Sequence, residues 1–128
     1  MSNRVFRWRS IAGAVVLFGS VSLAFVADEQ LRNFRKKPEN KGKNITSGLW
    51  RISRHPNYLG EISTWWGLFF FSIAASCGNW WTIAGPVAIT VLFLFASIPM
   101  IEKRHLARRP EYRDYMNRTP MLLPFKFK

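Results

Sequence analysis

A chain of 128 residues has room for one domain. Its 19 Lys and Arg against 7 Asp and Glu give a net charge of +12, which in a soluble protein points to nucleic acid. The distribution excludes that partner: Ser10 to Ala27 carries no charge, Tyr58 to Ile101 carries only Glu61, and the basic residues crowd between and after these runs.

No zinc-ligand spacing, helix-turn-helix period or Gly-aromatic RNA motif is present, and the lone Cys77 allows neither an internal disulfide nor a cysteine metal cluster. No metal site is expected. Residues 1–9 are polar, with Arg4, Arg7 and Arg9. Residues 10–27 then form helix 1, roughly 27 Å long at about 1.5 Å per residue, close to the thickness of a hydrocarbon core. A basic start before a short apolar run also resembles a signal peptide. The run is long for that, and Ala27-Asp28-Glu29 is a weak cleavage pattern, so an uncleaved helix is expected. Residues 28–55 read as a basic loop, in which Leu31 to Arg35 extends helix 1 and the Asn-, Gly- and Lys-rich stretch from Pro38 to Gly48 is irregular. Pro56 suits the first position of the next helix. Residues 56–101 form a tight helical hairpin turning at Cys77-Gly78-Asn79, with Trp80 and Trp81 as an interface belt. Gly85-Pro86 marks a kink near the start of its second arm, and Pro99 falls in the last turn. The tail 102–128 is basic and contains a short helix around Pro110 to Tyr115, ended by Pro120 and Pro124.

The whole is an all-α integral membrane domain of about three transmembrane helices with a basic C-terminal tail. By the positive-inside rule the loop 28–55 and the tail are cytoplasmic. The amino terminus then faces outward with three arginines, which fits that rule poorly.

The candidate site is where the hairpin begins. On a helix opened by Pro56, Asn57, Glu61 and Trp65 recur at every fourth residue and share a face, with Tyr58 beside it. Arg54 and His55 lie just before the first turn, where free backbone N–H groups favour an anion such as a phosphate. Asn57 and Glu61 suit a neutral polar group deeper down, for example a carboxamide. A carboxylate this far into an apolar segment is a site hypothesis by default. The competing structural reading makes Arg54 and His55 headgroup contacts, the aromatics a belt, Asn57 a helix–helix hydrogen bond, and Glu61 a salt bridge to the tail. A second cluster, Glu102 to His105 with Arg108, Arg109, Tyr112 and Tyr115, suits phosphate pairing and base stacking. With neither a Gly-x-Gly-x-x-Gly nor a Walker loop, a nucleotide here has no Rossmann or P-loop scaffold.

The runs Ala27-Asp28-Glu29-Gln30-Leu31-Arg32-Asn33-Phe34, Gly48 through Glu61, and Trp65-Trp66-Gly67 resemble the steroid 5-alpha-reductase C-terminal family, in particular its bacterial branch of uncharacterised membrane proteins. Glu102-Lys103-Arg104, Arg109 through Tyr115 and Leu123-Pro124-Phe125 fit that branch too. The resemblance implies a multi-helix fold holding NADPH in a cytoplasm-facing cavity of the bacterial inner membrane. It places Asn57, Tyr58, Gly60 and Glu61 near the nicotinamide, and makes Arg54, His55, Arg104 and Tyr112 contacts to phosphates and adenine. The implied activity is reduction of a carbon–carbon double bond in a lipid or steroid-like enone. No catalytic residue is assigned; Tyr58 is the one candidate for proton donor. Arg54-His55-Pro56-x-Tyr58-x-Gly60 also resembles the isoprenylcysteine carboxyl methyltransferases of the same superfamily, which use S-adenosylmethionine. Asn57, Glu61 and the single Glu102 rank the reductase pattern first and a lipid methyltransferase second. A non-catalytic membrane module is the third reading. The family's reductases are longer, with a substrate-side acid and tyrosine in upstream helices, so a shortened paralogue, a fragment or half of an assembly are all expectations. The expected partners are the bilayer, a lipophilic small molecule, and a partner subunit or second copy; nucleic acid is not expected.

Overall fold

The computed structural model describes residues 3–123, and every described regular element is helical. Helix α1 spans Asn3–Lys36. It overruns the expected end at Ala27 and takes in the first part of the expected loop, because no helix breaker occurs before Lys37-Pro38. There Lys37 turns extended (φ −83°, ψ 121°), the geometry proline imposes on the residue before it. Helix α2 spans Pro56–Ala75 with proline at its start, as expected.

The turn at Cys77 opens a continuous helical run to Arg108, past the expected end at Ile101. It begins as a 3-10 turn, Cys77–Ile83, and continues as α3, Ala84–Leu92. A π-turn, Phe93–Ser97, leads into α4, Ile98–Arg108. Pro86 causes little disturbance because it lies where the 3-10 turn passes into the first turn of α3, and its fixed φ suits a helix start. The irregularity sits instead before Pro99, whose ring crowds the carbonyl four residues back and which donates no hydrogen bond. The ladder widens there, and the Ile98 N–H reaches the Phe93 carbonyl, five residues back. Helix α5, Tyr112–Arg118, follows a break at Arg109-Pro110. Pro124 and Phe125 lie outside the described residues.

Helices α1 and α2 run antiparallel, and glycines set how closely they approach. A Cβ on Gly60 would lie 2.6 Å from the Ala24 nitrogen and 2.7 Å from the Ser20 carbonyl oxygen. Seven residues on, a Cβ on Gly67 would lie 3.1 Å from the Leu17 nitrogen. Small residues at such a seam let backbones touch, the usual solution where no hydrophobic effect drives helices together. Against α3, the Trp66 indole N–H donates to the Thr90 hydroxyl at 3.1 Å.

Two runs among the described residues are long and apolar enough to cross a membrane, Asn3–Lys36 and Cys77–Arg108. Helix α2 is not among them: Asn57, Glu61, Ser63 and Thr64 dilute its hydropathy. Phe18 and Phe95 are 80% and 78% exposed. Rows of such side chains on both long runs need an apolar solvent.

Candidate functional site

The segment before α2 is held by the tail. At Gly48 the chain takes φ +62°, and the next N–H, of Leu49, donates to the Gln30 side chain at 2.9 Å. The positive φ favours glycine, and a Cβ there would sit 2.6 Å from that same oxygen and push the Gln30 side chain off its bond to Leu49. The Trp50 indole then donates to the Ala27 carbonyl at 3.1 Å and packs with Ala27 and Ile45, fixing the segment to α1. From the other side, the Arg54 N–H donates to the Pro120 carbonyl at 2.9 Å and the Ser53 hydroxyl to the Leu122 carbonyl at 2.8 Å. The buried Tyr115 hydroxyl bonds the Trp50 carbonyl and lies 3.2 Å from that of Ser53. Burial pushes the Tyr115 phenol well above its ordinary value.

The centre of the arrangement is Glu102, buried on α4. One of its oxygens accepts from Arg54 Nη1 at 2.6 Å, from His55 Nε2 at 3.1 Å and from the Tyr112 hydroxyl at 3.4 Å. A carboxylate only accepts, so His55 carries a proton on Nε2. Burial, and next the Glu102 charge, raise the Tyr112 phenol well above its ordinary value; Tyr112 stays a neutral donor. His55 stacks on Tyr58 with centroids 5.4 Å apart, and Tyr58 meets Phe93 at 4.9 Å. On the other flank, Arg109 donates to His105 Nδ1 at 3.0 Å and to the Lys43 carbonyl at 2.8 Å. His105 therefore accepts at Nδ1 and is neutral.

These groups enclose a cavity of about 90 Å³ at the basic end of the helices. Of the residues singled out in the sequence, Arg54, His55, Asn57, Tyr58 and Tyr112 line it together. Glu61 and Arg104 do not. Both are exposed; Glu61 lies one turn of α2 beyond Asn57, within electrostatic reach of Asp28 and Tyr58. Arg35, Lys43, Asn44, His105, Arg109 and Tyr115 complete the polar wall. Three buried polar atoms here have no hydrogen-bond partner: Asn57 Oδ1, Arg54 Nε and Arg109 Nε. Such orphans are rare in folded proteins and call for a partner.

Glu102 is the residue that sequence reasoning missed. It heads the second cluster and enters only the ranking of the two family patterns, while a salt bridge was considered for Glu61, in the competing structural reading. The available signal was its position as the first acid after the long apolar run, facing a chain end otherwise rich in cations.

Long apolar helices with outward aromatics, and a polar-lined cavity at their basic end, mark a helical integral membrane protein. The chain belongs to the DUF1295 family, described as proteins of unknown function, which matches residues 1–119. This is a steroid 5-alpha-reductase-like family, as the resemblance implied. An uncharacterized protein of Schizosaccharomyces pombe is 34% identical over 85 residues, 66% of this chain and 24% of that protein. The steroid 5-alpha-reductase DET2 of Gossypium hirsutum is 30% identical over 66 residues, 52% of this chain and 26% of its own. A Delta(14)-sterol reductase of Neurospora crassa is 32% identical over 101 residues, 64% of this chain and 20% of its own. The matches thus span about a quarter or less of these relatives' lengths. No solved structure matches the chain.

Proposed function

We propose that this protein is a membrane-embedded, NADPH-binding reductase-like protein of the bacterial inner membrane, with the cavity on the cytoplasmic side, acting on the carbon–carbon double bond of a lipid or steroid-like enone. The observation that carries this reading is the orphaned Oδ1 of Asn57, a residue that lines a cavity whose charged lining is cationic. A buried acceptor calls for a ligand N–H, and the arginines and Lys43 call for anionic oxygens. A nicotinamide dinucleotide phosphate offers both, a carboxamide and several phosphates. S-adenosylmethionine carries a sulfonium cation, which Arg35, Lys43, Arg54 and Arg109 disfavour. The orphaned atoms thus fit the dinucleotide.

The cavity, about 90 Å³, is smaller than the roughly 300–1,000 Å³ of typical ligand pockets. One end of the cofactor would sit inside it and the rest across the basic rim. Asn57 and Tyr58 would hold the carboxamide end; Arg54, His55, Arg109 and Tyr112 would serve the polar remainder. Glu61 and Arg104 meet the cofactor only where it extends outside. Bound NADPH supplies the hydride. The chain's own contribution is to orient the cofactor and to exclude water, and Tyr58 is the candidate proton donor.

The test is cofactor binding in detergent. NADPH should stabilise the protein and S-adenosylmethionine should not. Asn57→Ala should weaken NADPH roughly tenfold, as expected for losing a hydrogen bond to a buried group. Stabilisation by S-adenosylmethionine alone, or unchanged NADPH binding in Asn57→Ala, overturns the reading.

A further inference from the structure

A second concavity lies at the opposite end of the molecule. It is a groove of about 470 Å³ between α1 and the C-terminal half of α2, with Ala12 and Val16 on one side and Phe69, Phe70 and Ile73 on the other. Its mouth holds one charged side chain, Arg9, with Cys77 and Trp80 beside it. Arg9 Nη1 donates to the Cys77 sulfur at 3.2 Å, which anchors the guanidinium over the hairpin turn. Trp80 is 68% exposed and its neighbour Trp81 64%, the exposure expected of indoles at a headgroup layer.

The groove is not part of the cofactor cavity. Phe70 is thirteen residues along α2 from Asn57, about 20 Å at the helical rise. No reaction at Asn57 reaches it. From Arg9 to Val16 the groove follows α1 for about 10 Å, with apolar walls below a cation. That layout is complementary to a charged lipid: hydrocarbon along the walls, an anionic oxygen at the guanidinium. A guanidinium matches phosphate in geometry as well as charge.

We propose that this groove is a binding site for an anionic phospholipid of the leaflet on the hairpin-turn side, its acyl chain lying between α1 and α2 and its phosphate on Arg9. The site depends on the protein's place in a bilayer and not on the NADPH reading, so the two stand or fall separately.

The test uses the full chain in detergent, with phosphatidylglycerol and phosphatidylcholine of matched chains carrying a photoactivatable group in the acyl tail. Crosslinked peptides from phosphatidylglycerol should map to 12–16 and 69–73, in roughly fivefold excess over those from phosphatidylcholine, as one cation near an anionic headgroup supports. Arg9→Gln should remove the excess. Ala12→Trp, which fills the groove, should remove the crosslinks from both lipids. Arg104→Gln, at the other end, should change neither. Crosslinks spread evenly over the apolar faces, an excess that survives Arg9→Gln, or labelling at 69–73 that persists in Ala12→Trp each overturn the proposal.

Discussion

Glu102→Gln isolates the charge at the centre of the candidate site while keeping its shape. In the native protein the Arg54 and Glu102 side chains are 11% and 10% exposed and 2.6 Å apart. They belong to the buried class of ion pairs, not the surface class worth about 0–1 kcal/mol. Removing one partner strands a buried guanidinium, for which about 3–5 kcal/mol is typical. The same change weakens the acceptor for His55 and Tyr112, so the upper half of that range is expected. For a chain of this size about 1 kcal/mol shifts Tm by roughly 4 °C, so about 4–5 kcal/mol gives a fall of about 16–20 °C. Thermal unfolding in detergent, followed by tryptophan fluorescence, measures it, because Trp50 sits in the segment that Arg54 anchors. The paired variant Arg54→Met with Glu102→Leu should recover most of the loss, since an apolar pair of similar volume often replaces a buried ion pair without penalty. A fall under about 4 °C for Glu102→Gln, near the surface-pair limit, would refute the reasoning.

Gly60→Ala should loosen the α1–α2 seam. The obstacles are backbone atoms at 2.6 and 2.7 Å, so overpacking of about 3 kcal/mol outweighs the roughly 1 kcal/mol that alanine gains in helix propensity; a variant as stable as the native protein would contradict the close approach. Trp50→Phe keeps the ring and loses the bond to the Ala27 carbonyl. It should cost about 0.5–1.5 kcal/mol, the net worth of one hydrogen bond, because the carbonyl keeps its acceptor role within α1; equilibrium denaturation would show it. The raised phenols of Tyr112 and Tyr115 give a pH dependence whose sign is fixed. Their stabilising contribution is complete below the ordinary tyrosine value near pH 10 and declines above it, as the unfolded chain loses protons that the folded one keeps. Tyrosinate absorbance from these two should therefore rise together with unfolding; tyrosinate forming on an intact fold would count against their burial.

Much of this was legible in the sequence because it depends on local rules. The uncharged run after Ser10, the proline at the start of α2 and the tight turn at Cys77 each follow from composition or backbone geometry, and each is seen. The seam was not legible: nothing around Gly60 says that its missing Cβ faces Ala24 and Ser20, because that pairing joins residues 36 and 40 positions apart. The end of the third run was misplaced for a related reason. Pro99 reads as a stop, yet a single widened turn absorbs it and the helix continues to Arg108. That continuation carries Glu102 onto a helix face, where it meets Arg54 and His55 across 48 and 47 positions. Spacing along the chain singled out Glu61 because it interrupts an apolar run, but spacing does not tell how far along α2 the cavity reaches. Asn57 and Tyr58 line the cavity, whereas Glu61 shares their side of α2 one turn further along and lies outside the lining.

The tail does more than close the chain on the basic face. Tyr112 and Tyr115 are both wall and clamp: they line the cavity, and their hydroxyls bond Glu102 and the carbonyl of Trp50. A cavity wall made from a docked C-terminal segment exists only while that segment is docked. Any ligand that occupies the cavity therefore binds the docked state and stabilises it in proportion to the logarithm of its concentration over Kd. Hydrogen exchange at the α5 amides reads this coupling directly. A ligand for the Asn57 cavity should slow exchange in Tyr112–Arg118, whereas phosphatidylglycerol in the Arg9 groove should leave those amides unchanged. Slowing by the lipid alone would mean that it occupies the basic end instead.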